Sequence, residues 1–291
     1  MTSDQSFDRL ELLVGPNCLN ALSGASVALF GVGGVGSWCA EGLVRSGIGR
    51  LMIVDSDVVN PSNINRQLPA MSTTVGRPKV EVLGERLREI NPEAEITALQ
   101  RVYSWEVRDE FDLGGYDYVI DAIDSLSSKV ELIINAHAAG ATLFSALGAA
   151  CKVDATRVRV SSIWKSDRCK LGRFVRKKLR KRGFEGDFLC VWSDEWTFIN
   201  DDRINAESDS VNADYDDNAV DNVDGVDIGD SGIDNDRINA SNDNANTSIN
   251  SPTNRAINGS LVCVTGVFGF VLSGLVVNDI INKTKSINDT K

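Results

Sequence analysis

Apolar residues along this chain fall into short runs and spaced stripes, and the two patterns alternate. Val27–Phe30 is a compact apolar run that stops at glycines, as a buried parallel strand does. Leu51–Val54 (ending at Asp55), Ile96–Leu99, Tyr118–Ile120 (ending at Asp121) and Thr142–Ala146 repeat the signature. Between them, Ser37–Ser46 predicts a helix that stops at Gly47. Lys79–Ile90 has helical spacing at Val80, Leu83, Leu87 and Ile90, and Lys129–Ala139 reads as helical. Another helix is expected around Ser104–Phe111, and residues 1–24 read as a helical lead-in. Strands alternating with helices predict an α/β, Rossmann-like fold over 25–199. Its sheet should be mostly parallel, with helices on both faces and right-handed crossovers.

The second half departs from this rhythm. Residues 200–256 are Asp/Asn/Ser-rich with few apolar groups. Such a segment cannot bury enough surface to offset its ordering entropy, so a disordered insert is expected within a C-terminal extension. Residues 257–291 then form an apolar closing segment and tail. Leu261–Val277 carries no charge over 17 residues and contains Gly266, Gly269 and Gly274. About 17 residues is the lower limit for crossing a bilayer, and a buried strand or helix is expected instead.

Charge alters the picture only through its distribution. The formal net charge is −11, but residues 201–250 hold thirteen Asp, one Glu and two Arg, a net of −12. The remaining residues are close to neutral, so the acidity belongs to the insert. The six cysteines are scattered, with no Cys-x-x-Cys pair for a structural zinc. With a polar N-terminus lacking a signal-peptide pattern, reduced thiols in a cytoplasmic protein are expected.

Candidate chemistry begins at Gly31-Val32-Gly33-Gly34-Val35-Gly36, between the first strand and its helix. Glycines let backbone approach phosphate oxygens, and the helix N-terminus offers free N–H groups and a positive dipole end. The pattern equally satisfies the dinucleotide fingerprint, with Asp55 nineteen residues after Gly36 as a ribose-binding acid. A tight turn packing helix on sheet fits it too.

Downstream residues separate these options. Asp55-Ser56-Asp57 is followed by Ser62-Asn63-Ile64-Asn65-Arg66-Gln67 and by Gly76-Arg77-Pro78-Lys79. A hydride-transfer site has no need for a cation cluster beside its phosphates. Arg66 and Lys79, at strand-end positions of one sheet, favour a triphosphate, where they would stabilise charge growing on pyrophosphate. Each alone also fits a solvated surface charge. Asp121-Ala122-Ile123-Asp124-Ser125 ends the fourth strand, where carboxylates overlook the ligand crevice. Magnesium prefers one or two carboxylates plus phosphate oxygens, which selects Asp124. Asp121 either caps the next helix or holds the loop.

These motifs in this order, with Trp38, Ile90-Asn91-Pro92 and Thr265-x-x-Phe268-Gly269-Phe270, resemble the ubiquitin-activating-enzyme superfamily. Within it the chain is similar to the tRNA threonylcarbamoyladenosine dehydratase branch, over residues 7–193 and 257–282. The resemblance implies an ATP-dependent ligase or cyclase. ATP would adenylate the threonyl carboxylate of threonylcarbamoyladenosine, and a nitrogen of the same side chain would close a hydantoin and expel AMP. It implies a nucleotide set of Gly31, Gly33, Gly34, Gly36, Asp55, Asp57, Asn63, Arg66, Gln67 and Lys79. In that set Asp55 takes the ribose, while Asn63, Arg66 and Lys79 meet the phosphates. Asp124 would hold Mg2+. Arg9 matches a residue that relatives lend across a homodimer interface to the partner's ATP, and an ordinary surface arginine is the competing reading. Arg9, Arg66, Lys79 and Asp124 make up the implied catalytic set.

Three departures weigh on this. The paired Cys-x-x-Cys ligands usual in bacterial carrier-protein activators are absent, which argues against adenylating a ubiquitin-like sulfur carrier. A cysteine that many relatives carry before the closing segment is replaced by Asn254 and Arg255. A sulfur-transfer partner protein stays open, and Cys190 reads as packing rather than as a nucleophile. The insert is longer than usual and reads as a functionally neutral surface extension, the competing reading being an acidic loop that competes with tRNA phosphate. Finally, Lys165–Arg182 holds ten basic residues against Asp167, which fits tRNA phosphates. Trp164 and Phe174 would either stack bases or anchor a helix. An NAD-dependent dehydrogenase and a nucleotide-sensing module that releases no AMP are the rival functions.

Overall fold

The structure, a computed structural model, describes residues 5–196 and 259–289. The insert 200–256 and its expected disorder lie outside the described residues. The elements below belong to one compact unit, built from the chain before and after the insert.

Seven strands form one sheet: β1 (Ser26–Phe30), β2 (Arg50–Val54), β3 (Glu95–Leu99), β4 (Tyr118–Asp121), β5 (Thr142–Ala146), β6 (Val158–Ser162) and β7 (Leu189–Ser193). Their spatial order is β3-β2-β1-β4-β5-β7-β6. Every pairing is parallel except β6 with β7. The helices are α1 (Asp8–Val14), α2 (Pro16–Gly24), α3 (Gly36–Arg45), α4 (Lys79–Ile90), α5 (Leu126–Ala138), α6 (Lys170–Lys181) and α7 (Val262–Asp289).

The central strands are apolar without interruption because both faces are covered. Val27 and Leu29 face a core shared with α3, α4 and α7, through residues such as Leu43, Leu83 and Phe268. Ala28 and Phe30 face a second core with α5 and α6, through Val130, Ile133, Val175 and Leu179. α7 is long and apolar enough to cross a membrane by length and composition, yet half of its most apolar stretch is buried. Phe268, Leu272 and Val276 pack beneath the sheet, so the apolar segment Leu261–Val277 is largely a core helix, one that runs on to Asp289.

The structure departs from these expectations at three places. Ser104–Phe111 is not a helix but turns ending in one 3₁₀ turn, Arg108–Glu110. Only Tyr103 and Phe111 are buried there, both against the Phe30 ring. Anchors eight residues apart specify a strap rather than a helical stripe. The strands β6 and β7 were not anticipated. β6 is an edge strand with exposed Arg159 and Val160, so its apolar signal is diluted. α5 also begins three residues earlier than its periodicity indicated.

From β1 the chain winds outward through β2 to β3, then returns to place β4 on the other side of β1. The order therefore reverses between β1 and β4. In open α/β sheets the crevice at the carboxyl ends of such strands receives ligands.

Candidate nucleotide site

Two segments leave the sheet at that crevice: the glycine turn after β1 and the loop Ala122–Ser125 after β4. Gly31 has φ +86°, and a Cβ there would lie 2.6 Å from Ala122 O. A Cβ on Gly36 would lie 1.8 Å from Gly31 O. Only glycine closes this turn. No side chain caps α3; Ser37 N–H donates to Gly33 O at 3.1 Å, and the other N–H groups at the head of the helix point to the mouth, where an uncapped helix N-terminus can receive an anionic ligand.

The acids after β2 brace the turn. Asp55 Oδ2 accepts from Val32 N–H at 2.8 Å and Oδ1 from Asp57 N–H at 2.9 Å. Each oxygen keeps a further lone pair, so a ribose hydroxyl can still be accepted. Lys79 is buried and donates from Nζ to Asp57 Oδ2 at 2.7 Å. A polar chain thus runs from Lys79 through Asp57 and Asp55 to the glycine turn.

α3 also fixes the segment 62–68. Ser37 Oγ donates to Gly33 O at 2.6 Å and accepts from Leu68 N–H at 3.2 Å. Trp38 Nε1–H donates to Arg66 O at 3.0 Å. The Arg66 stem therefore lies on the turn, 3.3 Å from where a Gly34 Cβ would stand. Its guanidinium donates to Ser62 O and Asn65 Oδ1 at 2.8 and 2.9 Å. Asn63 Oδ1 accepts from Asn60 N–H at 3.0 Å and caps the local turn. Gln67 is buried beside Gly33, and its Oε1 has no partner among the described residues.

Contacts thus bring together Gly31, Gly33, Gly34, Gly36, Asp55, Asp57, Arg66, Gln67 and Lys79, with Asn63 in the same segment. Asp124 is exposed at the tip of the facing loop. Arg9 is not among them. The Phe7 ring stands 3.7 Å from where a Gly47 Cβ would lie, past the far end of α3, and ten helical residues span about 15 Å. Arg9 therefore does not belong to the site of its own chain.

Lys129 lies outside the sequence motifs of the site. Fully buried, it donates to Asp121 Oδ2 at 2.6 Å and to Ala146 O at 2.9 Å. Asp121 holds the loop rather than capping α5, through Ile123 N–H at 3.1 Å. A signal was available, since Lys129 falls on the apolar stripe of Leu126, Val130 and Ile133, where a lysine is unexpected. Cys190 is buried, and burial above all pushes its thiol up to about 12. It is a packing residue and not a ready thiolate.

α6 starts beside this edge, where Cys169 Sγ accepts from Gly148 N–H after β5. Gly172, Val175 and Leu179 are its buried face, and Lys170, Arg173 and Arg180 are exposed. Trp164 is an anchor rather than a stacking platform, covered by Arg180 and donating to Gly186 O at 2.9 Å.

Comparison with known proteins gives this geometry a family. The chain is 41% identical to the tRNA threonylcarbamoyladenosine dehydratase of Bacillus subtilis (strain 168) over 201 residues, 69% of this chain and 79% of that one. Against the molybdopterin-synthase adenylyltransferase of Salmonella typhimurium it is 33% identical over 134 residues, 46% of this chain and 53% of that one. The crystal structure of the E. coli tRNA N6-threonylcarbamoyladenosine dehydratase TcdA in complex with ATP superposes with a TM-score of 0.74 at 27% identity, covering 98% and 99% of the two chains. The profile of the ThiF family matches residues 7–288, and the chain belongs to that family.

Proposed function

We propose that this chain uses ATP to dehydrate threonylcarbamoyladenosine in tRNA to its cyclic hydantoin through an acyl-adenylate. The observation that carries this reading is the crevice itself. An uncapped helix N-terminus, a basic pair (Arg66 and Lys79) and an exposed carboxylate (Asp124) surround one glycine turn, in a fold whose relatives include an ATP-bound dehydratase. A carboxylate is a poor electrophile, so its oxygen must first become a good leaving group. The turn and first-turn N–H groups of α3 hold the α-phosphate within reach of that carboxylate. Asp55 accepts from the ribose, and Gln67 Oε1 has a spare acceptor site beside Gly33.

Arg66 and Lys79 place positive charge where pyrophosphate departs, and Lys79 shares its proton donors between Asp57 and phosphate. The attacking nitrogen already belongs to the substrate, so proximity suffices and no enzyme nucleophile is required. Magnesium, when bound, neutralises phosphate charge and orients the triphosphate. One exposed carboxylate with phosphate oxygens is a donor set that suits it, and Asp124 is the residue that would hold it. The exposed cations of α6 supply sequence-independent affinity for tRNA phosphates. A homodimer would let Arg9, misplaced for its own site, serve the partner's. Leu12 and Leu13, 87% and 81% exposed on the same helix, are fitted to such an interface.

Two observations disfavour adenylation of a sulfur carrier. The sequence has no Cys-x-x-Cys pair, and no cluster of three metal-ligating side chains occurs among the described residues. The deciding experiment is mass spectrometry of tRNA nucleosides after incubation with ATP and magnesium. Loss of one water from threonylcarbamoyladenosine, with AMP released, is expected. Pyrophosphate exchange stimulated by a Gly-Gly-ended protein and not by tRNA would overturn the reading.

A further inference from the structure

Asp121 and Lys129 are the two ends of a charged pair with no solvent exposure at all. Both oxygens of the Asp121 carboxylate are engaged. Oδ2 accepts from Lys129 Nζ and from Ser145 Oγ, both at 2.6 Å, and Oδ1 accepts from Ile123 N–H at 3.1 Å. Lys129 is tied in turn to Ala146 O at the end of β5, at 2.9 Å. Three elements (β4, β5 and α5) therefore meet at one ion pair.

As a source of stability this arrangement is poor. Desolvating two charges commonly outweighs their attraction, and a cation in the first turn of α5 faces the positive end of that helix. Its geometry points elsewhere. Asp121 ends β4, Leu126 opens α5, and the pair spans the four residues between them. That loop is pressed onto the glycine turn: Ala122 N–H donates to Phe30 O at 2.8 Å, and Ala122 O leaves no room for a Cβ on Gly31. Asp124 is exposed at its tip.

We infer that Lys129 and Asp121, with Ser145, are positioning residues that set the height of Asp124 above the glycine turn and so the affinity for metal-bound nucleotide. This rests on the ATP reading above. The pair touches neither phosphate nor metal; it acts through the loop.

The test uses the full chain and three variants: Lys129→Met, the double variant Lys129→Met with Asp121→Asn, and Ser145→Ala. Melting is followed by calorimetry, and ATP binding by titration with and without magnesium. Lys129→Met should melt far below the parent, because it strands a buried carboxylate. The double variant, which is neutral and keeps an acceptor for Ile123 N–H, should recover most of that loss. It should nevertheless bind ATP about tenfold or more weakly with magnesium, as expected for outer supports of a metal site, and almost unchanged without it. A pair with a merely structural role would return magnesium-dependent affinity together with melting temperature, and that result overturns the inference. Should the double variant not fold, Ser145→Ala decides alone. It should weaken ATP binding about threefold in the presence of magnesium only, and unchanged binding refutes the inference. If the parent itself binds no ATP, the proposed function falls first and the inference with it.

Discussion

At the scale of the residue, glycine and carboxylate divide the work at the crevice. Gly36 cannot carry a Cβ because Gly31 O occupies its place. The turn is therefore fixed by sterics before any ligand arrives, and under the proposed function the N–H groups of Gly33 and Gly34 would need no reorganisation to meet phosphate. Asp124 has the opposite character. Exposed and outside every recorded hydrogen bond among the described residues, its carboxylate costs little to the fold and is available to a cation. Asp124→Ala should accordingly lower AMP formation about 100-fold or more, with the melting temperature unchanged. Full turnover in that variant would remove Asp124 from the metal role.

At the scale of the element, α3 and α4 are joined by one buried acid. Glu41 accepts from Arg45 at 2.7 Å and from two nitrogens of Arg86 at 2.9 Å. Burial pushes its carboxyl up, but the hydrogen bonds and charges of Arg86 and Arg45 together outweigh it and hold the carboxyl below its ordinary value of 4.5. A lowered folded-state value means the clamp contributes fully above about pH 4.5 and is lost as acid protonates Glu41 in the folded state. Glu41→Gln should therefore lower the melting temperature by about 3 °C near pH 7, and the gap to the parent should narrow as melts are taken progressively into acid below the ordinary carboxylate value. A gap independent of pH would show that packing, not charge, joins the two helices. α6 offers a separate element-scale test. Lys170→Glu with Arg173→Glu should weaken tRNA binding and flatten its salt dependence by about two charges, while ATP affinity stays the same. Equal loss for tRNA and ATP would mean α6 supports the fold and not the RNA.

At the scale of the whole molecule, the chain on either side of the insert returns to one place. Gly259 O accepts from Cys151 N–H at 2.8 Å, and the Glu195 carboxylate accepts from Val153 and Asp154 N–H at 3.1 and 3.0 Å. The same short stretch, 151–154, thus anchors both the departing and the returning chain. Deleting residues 201–250 should leave AMP formation and melting temperature unchanged, because closing the shortened connection strains neither anchor. Collapse of turnover in that deletion would assign the insert a function.

The central strands, α3, α4 and the glycine turn were legible from sequence because each is specified locally, by an unbroken apolar run, a 3.6-residue stripe or a steric demand of the backbone. Ordered motifs such as Ser62–Gln67 and Asp121–Ser125 placed the chain in its family for the same reason. What required tertiary structure depends on residues distant in the chain. The closing segment resolved as the helix α7 because the sheet offered it a face. The stretch 104–111 lost its helix because Phe30 captured Tyr103 and Phe111, 81 residues away at the latter. Arg9 proved remote from its own crevice because α3 separates them. Lys129, an apparent break in an apolar stripe, acquired its meaning only when β4 and β5 delivered Asp121, Ser145 and Ala146 O around it. Periodicity reports which face of an element is buried; it does not report what that face will meet.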